Sequence, residues 1–110
     1  MNKVFLLGRL TKDPELKTTP KGLQIARFTL AVDGINKTDF INCVAFAKTA
    51  ELLQKYVKQG QRLAVEGRWN TDSYDTDNGR KYINECNIDR IEFIEKIKKE
   101  TAPEDTDFWG

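Results

Sequence analysis

The chain has 110 residues, 39% of them hydrophobic and 32% charged, with three prolines, seven glycines, no histidine and a formal net charge of +1. These values suit a single globular domain and exclude fibrous and low-complexity chains, while the lack of histidine removes the usual general base and a common metal ligand together. All 18 basic side chains fall within residues 1–99 against 13 acidic ones, whereas residues 100–110 (ETAPEDTDFWG) carry four acids and no base. A basic body of this kind suits a polyanionic partner, and an acidic tail follows it.

The amino terminus, MNKVFLLGRL, has too short an apolar run for a signal peptide, and no segment approaches the roughly 18 apolar residues of a membrane span, which points to the cytoplasm. Within it KVFLLGRL (3–10) reads as a first strand, its glycine marking a bend or a close backbone approach, and TKDPE breaks it. LQIARFTLAV (23–32) reads as a second strand between PKG and DG turns. Its apolar residues switch from odd positions (Leu23, Ile25) to even ones (Phe28, Leu30, Val32), which predicts a bulge or strong coiling.

A third strand covers 39–47, within TDFINCVAFAK. Equal parity places Phe40, Asn42, Val44 and Phe46 on one face and Ile41, Cys43, Ala45 and Ala47 on the other. KTAELLQKYVKQG (48–60) predicts the one helix, with Leu52, Leu53, Tyr56 and Val57 at helical spacing and Gly60 as its C-cap. QRLAVEGRWNT (61–71) alternates as a fourth strand, Asn78 and Gly79 signal a hairpin, and KYINECNIDRIEFI (81–94) returns as a fifth. Five coiled strands with one helix between the third and fourth is the arrangement of the OB-fold, a partly open Greek-key barrel that binds oligonucleotides or oligosaccharides.

Catalytic motifs are missing: there is no G-x-S-x-G, Walker A or G-x-G-x-x-G segment, so the chain is not expected to be an enzyme or to need a cofactor. Asp72, Asp75 and Asp77 with Gly79 and Glu85 approximate a calcium loop, but Tyr74 and Thr76 fall on its first and third places and cannot supply carboxylates, so no metal site is expected. Asn36-Lys37-Thr38 matches a glycosylation acceptor that has no meaning without secretion. Cys43 and Cys86 read as reduced, buried thiols.

Binding chemistry is better supported. Phe40 and Phe46 would stand roughly 20 Å apart on a straight strand, enough to seat several nucleotides, although both rings could equally fill a core. Lys48 follows Phe46, Arg68 precedes Trp69, and Arg80, Lys81 and Tyr82 follow a hairpin that contains Tyr74. Cations beside flat rings suit a single strand, since charge tracks the phosphates while a ring accepts any base.

From residue 1 to about 95 these stretches resemble the bacterial-type single-stranded DNA-binding proteins. The opening MNKVFLLGRLTKDPELKTTPKG matches that family's N-[KR]-V, G-[RN]-L, D-P-E-[LV] and P-x-G series, and FTLAV, TDFINCVAFAKTAELLQKYVKQG and VEG follow in order. The resemblance implies an OB-fold domain over residues 1–98 that assembles, usually as a homotetramer, and binds single-stranded DNA with little sequence preference, protecting it during replication, recombination or repair. It places base-stacking rings at Phe40, Phe46 and Tyr74, phosphate contacts at Lys3, Arg9, Lys48, Lys58 and Arg68, with Arg80 beside them on charge, and a subunit-interface position at Ile41. A protein-interaction module of a replication-restart type, using the same surface, is the alternative.

Three departures from the family qualify it. The loop DGINKTD is shorter than usual, and Asp72 stands where the family tends to be basic; both predict weaker binding or a smaller site. The tail, 99–110, lacks the family's long linker but keeps acidic residues before aromatic ones at Asp105, Asp107, Phe108 and Trp109, a candidate site for recruiting replication or repair proteins.

Overall fold

A computed structural model describes residues 1–94. The tail residues Asp105, Asp107, Phe108 and Trp109, and the expected domain boundary at 98, lie outside the described residues. The elements are β1 (Val4–Leu10), β2 (Glu15–Thr18), β3 (Gln24–Asp33), β4 (Thr38–Phe46), α1 (Ala47–Tyr56), β5 (Arg62–Thr76) and β6 (Gly79–Phe93).

Strand pairing runs β1-β5-β6-β4-β3-β2, and an additional β1–β3 pairing joins the ring of five longer strands. This is the expected OB-fold connectivity, with the helix between β4 and β5. The stretch after the TKDPE break, to which the sequence pattern assigns no element, contributes a sixth, four-residue strand: Glu15–Thr18 pairs antiparallel with Gln24–Arg27 through a turn in which the Gly22 amide donates to the Thr19 carbonyl. Its short length and charged residues gave no strand signal.

Gly8 makes the β1–β3 closure possible. A Cβ there would lie 2.5 Å from the Ala31 carbonyl oxygen, so the close backbone approach expected of a glycine inside a strand is present. On the other side the ring closes through a parallel seam of two residue pairs, Cys43 with Cys86 and Val44 with Asn87.

Inside the ring lie Leu10, Ala26, Phe28, Leu30, Cys43, Ala45, Leu63, Val65, Cys86 and Ile88, and α1 adds Ala50 and Leu53, followed by Val57 just past its end. The helix thus buries positions 50 and 53, whereas Leu52 and Tyr56 remain exposed. It ends at Tyr56, with an extended Val57 as its C-cap; Gly60 instead takes a left-handed φ of 85° in the following turn, where its amide donates to the Leu10 carbonyl. Gly60 marked the end of the segment, not the end of the helix.

The bulge expected in β3 is absent there. Ala26, Phe28, Leu30 and Val32 share the inner face in an unbroken register with β4, and Ile25 simply points outward. The register instead shifts between β5 and β6 at Glu66/Gly67, leaving Asp89 of β6 without a partner in β5. That extra residue exchanges the parity of β6, so that Phe93 and Ile91 on one side of it and Ile88 and Cys86 on the other all reach the core. The hairpin itself forms as expected, tightened around Asp77 and Asn78 with Thr76 opposite Gly79.

Candidate nucleic-acid interface

The strand of the two phenylalanines divides as its parity predicts. Cys43 and Ala45 are buried in the core and Ile41 is half-buried against it, while Phe40 and Phe46 are 65% and 39% exposed on the outer face. Both rings therefore face outward, and the core reading of the pair does not hold. Ile41 lies opposite Leu30 on the inner side. Val44 shares the outer parity and yet is fully buried.

Pairing with β3 builds rungs across this face. Phe40 is opposite Ala31, which in turn is opposite Arg9 of β1; Asn42 is opposite Thr29; Val44 is opposite Arg27; Phe46 is opposite Ile25. The Thr29 hydroxyl donates to Asn42 Oδ1 at 3.2 Å. Arg27 Nη1 donates to Glu85 Oε1 of β6 at 2.8 Å. A bond that joins β3 to β6 crosses the outer face of β4, which accounts for the burial of Val44 beneath it.

Phe46 is fixed by how the strand ends. It is the N-cap of α1, and Ala47 turns the chain with a φ of 54°, a left-handed conformation unusual outside glycine. Strand passes to helix without a loop, so the ring stays at the last strand position and Lys48 follows in the first helical turn. Lys48 and Lys58 are both exposed.

The third ring lies on the β5–β6 hairpin. Asn87 is opposite Val44, and along the hairpin Arg68, Asn70, Asp72 and Tyr74 share that side with Asn87, Glu85, Ile83 and Lys81. Tyr74, 54% exposed, is therefore on the same side of the sheet as Phe40 and Phe46. Trp69 and Tyr82 project from the reverse side with Arg80. Asn2 clamps the Trp69 backbone from both sides, accepting from its amide and donating to its carbonyl at 2.8 Å each.

Several expected phosphate contacts hold carboxylates in the structure. Lys3 pairs with Glu66 at 2.6 Å, Arg68 grips both oxygens of the bulge residue Asp89 at 3.1 and 3.3 Å, and Arg80 pairs with Asp75 at 3.2 Å. Arg9 donates to the Gly60 carbonyl at 2.9 Å. All these cations are exposed, and such surface pairs contribute about 0–1 kcal/mol, so a phosphate can replace the carboxylate. Asp72 accepts from the Ser73 amide, and among the described residues no cluster of acidic or cysteine side chains is placed to hold a metal ion.

Sequence reasoning missed Arg27, Thr29 and Glu85 as outer-face groups. The signal was the even parity of Ala26 with Phe28 and Leu30, which a small alanine concealed. Beside these residues, a recess of about 300 Å³ opens between the β2 region and the sheet.

The family model described as the single-strand binding protein family matches residues 1–94. The chain belongs to the single-strand binding protein family. It is 44% identical over 103 residues to a single-stranded DNA-binding protein of Halalkalibacterium halodurans, covering 86% of this chain and 61% of that protein. It is also 46% identical over 100 residues to one of Clostridium perfringens, covering 86% and 67%. A crystal structure of a deletion variant of the single-stranded DNA binding protein from Thermus aquaticus superposes with a TM-score of 0.74 at 30% identity, covering 92% of this chain and 45% of that one. The chain thus spans about three fifths of the first of these relatives, and its match to the single-strand binding protein family ends where the described residues end. No described helix is long and apolar enough to cross a membrane.

Proposed function

We propose that this chain binds single-stranded DNA with little overall sequence preference and shields it in the cytoplasm during replication, recombination or repair. The observation that carries the reading is the placing of Phe40, Phe46 and Tyr74, exposed, on one side of the sheet. An unpaired base exposes two apolar faces to water; laying one on a ring removes both surfaces and contributes about 1 to 3 kcal/mol per base. Duplex DNA has its bases already stacked and gains nothing from such rings. Arg9, Lys48, Lys58 and Arg68 are the exposed cations proposed to meet the phosphates, Arg80 projecting from the reverse side of the hairpin, and backbone charge explains why approach is favourable without any sequence signal.

Assembly of four copies is part of the same reading. Phe5 and Leu7 project outward from β1, 71% and 49% exposed, beside a recess of about 340 Å³ that Ala64 and Ile91 also line. This apolar face supports burial against further copies more directly than Ile41 does. The acidic and aromatic residues Asp105, Asp107, Phe108 and Trp109 are proposed to recruit replication or repair proteins beyond the domain at 1–98. No catalytic step enters this reading.

Titrating the full chain with a dT oligonucleotide and with a duplex of equal length, across a salt series, tests it. Tight binding to the single strand that weakens steeply with salt is expected; equal or absent affinity would end the proposal. The ion pairs Arg27–Glu85 and Arg68–Asp89 favour the second reading, a protein-binding face, which the same titration separates.

A further inference from the structure

Between the rungs of Phe40 and Phe46 lies a third flat group. Arg27 of β3 stands opposite Val44, two residues from the Phe46 rung and four from that of Phe40, or about 6.6 and about 13 Å along the strand. Its Nη1 donates to Glu85 Oε1 at 2.8 Å, across β4 and over the fully buried Val44. The Glu85 side chain is only 13% exposed, whereas that of Arg27 is 56% exposed. A guanidinium donates hydrogen bonds only in its own plane. The carboxylate therefore takes an edge, and the face turned away from Val44 is open to solvent.

We propose that the open face of Arg27 is a further stacking platform, on which one unpaired base lies between those held by Phe40 and Phe46. The inference rests on the single-strand reading above and adds to it Arg27 as a base-binding residue and Glu85 as the positioning residue that holds it. A guanidinium is flat and weakly hydrated, so it covers a base much as a ring does, with a cation–π attraction added. Local charge argues against a phosphate as its ligand. Three carboxylates, Asp13, Glu15 and Glu85, line the recess beside it against two cations, Arg27 and Lys12. Glu15 stands directly opposite Arg27 on β2, so a phosphate arriving there would meet repulsion from both sides of the guanidinium. A base carries no charge and meets none. A side chain already held by its carboxylate also loses little further freedom when a base covers it. Stacking accepts any base, which leaves the overall tolerance of the face intact.

The test titrates a dT oligonucleotide across a salt series on the full chain, on Arg27→Lys, and on a double variant that joins Arg27→Phe to Glu85→Gln, with thermal melts on the same samples. Lysine keeps the charge and a partner for Glu85 but has no flat face. The double variant keeps a flat face and removes both charges, so the net charge is unaltered. The expected result is an affinity about fivefold or more lower in Arg27→Lys, an affinity within about twofold of the unaltered chain in the double variant, and one slope of log affinity against log salt throughout. An unchanged affinity in Arg27→Lys would overturn the proposal, as would a double variant that melts normally and binds no better than Arg27→Lys. A slope shallower by about 1 in the double variant would make Arg27 a phosphate contact and overturn it too. If the double variant melts early, the affinity of Arg27→Lys decides alone. Failure of the unaltered chain to bind the single strand would overturn the single-strand reading as well.

Discussion

Cys43 and Cys86 are direct partners across the parallel seam that joins β4 to β6, and both thiols are buried. Burial, with the neighbouring Cys86 and then Glu85, pushes the Cys43 thiol up to about 12 from 9.0, and burial followed by Asp89 raises Cys86. In the unfolded chain these thiols ionise near 9.0, while in the folded one they hold their protons to higher pH. The stabilisation they contribute is therefore complete below pH 9.0 and is lost as pH rises towards about 12. Denaturant unfolding should show stability falling over that range, by at most about 1.4 kcal/mol per pH unit and thiol, with a shallower fall in Cys43→Ala. Parallel pH profiles for the two proteins would contradict this.

Removing an exposed ring should harm binding more than folding. Phe40→Ala and Phe46→Ala are each expected to weaken dT binding by about 1 to 3 kcal/mol. Phe40, the more exposed, should leave thermal stability within about 0.5 kcal/mol of the unaltered chain. Titration and thermal melts on the same samples check both statements.

Asp89 restrains Arg68, and its release should be visible in salt. Asp89→Asn keeps the shape of the bulge residue but removes the charge that grips the guanidinium at 3.1 and 3.3 Å. Affinity for a single strand at low salt should rise, and the slope of log affinity against log salt should steepen by about 1. An unchanged slope would mean that Arg68 meets no phosphate.

Gly8→Ala should destabilise the ring by about 1 to 3 kcal/mol, because the new methyl lies 2.5 Å from the Ala31 carbonyl oxygen. Chemical denaturation measures it. The companion change Gly22→Ala meets no atom within 4 Å but forces a φ of 91° on alanine, so its cost is conformational and should be smaller.

Leu7→Lys should lower the particle mass in solution if the β1 face is where copies meet, since it places a charge on an apolar patch without touching the core. Light scattering at a fixed chain concentration is sufficient. A particle of unchanged mass would move assembly to another face.

Much of this fold was legible because β4 carries its message by parity alone: two large rings outward, small residues and a thiol inward. The ring connectivity followed from strand order and a single helix. What escaped detection shares a cause, which is residues too small or too polar to announce a face. Ala26 hid the phase of β3, and with it Arg27 and Thr29; Asp89 hid the bulge, because one inserted residue within an alternating strand looks like noise. β2 is four residues long and rests on β3, so its existence is a tertiary matter. The ion pairs at Lys3, Arg68 and Arg80 join residues 63, 21 and five positions apart, which no local pattern displays. A cation's exposure can be guessed from a sequence, but not its attachment.

The hairpin that carries Tyr74 has a mechanical consequence. β1 supports β5 only as far as Gly67, and β4 supports β6 only at Cys86 and Asn87, opposite Trp69 and Arg68, so from Asn70 outward the two strands have no third strand beside them. Phe40 and Phe46 are set in a closed ring, whereas Tyr74 rides on a two-stranded lever. A small change of twist at the root, where the Asp89 bulge lies, is multiplied over the length of the lever at the tip. The distance from the third ring to the other two is therefore an adjustable span, and the number of nucleotides lying between them need not be a fixed property of the chain.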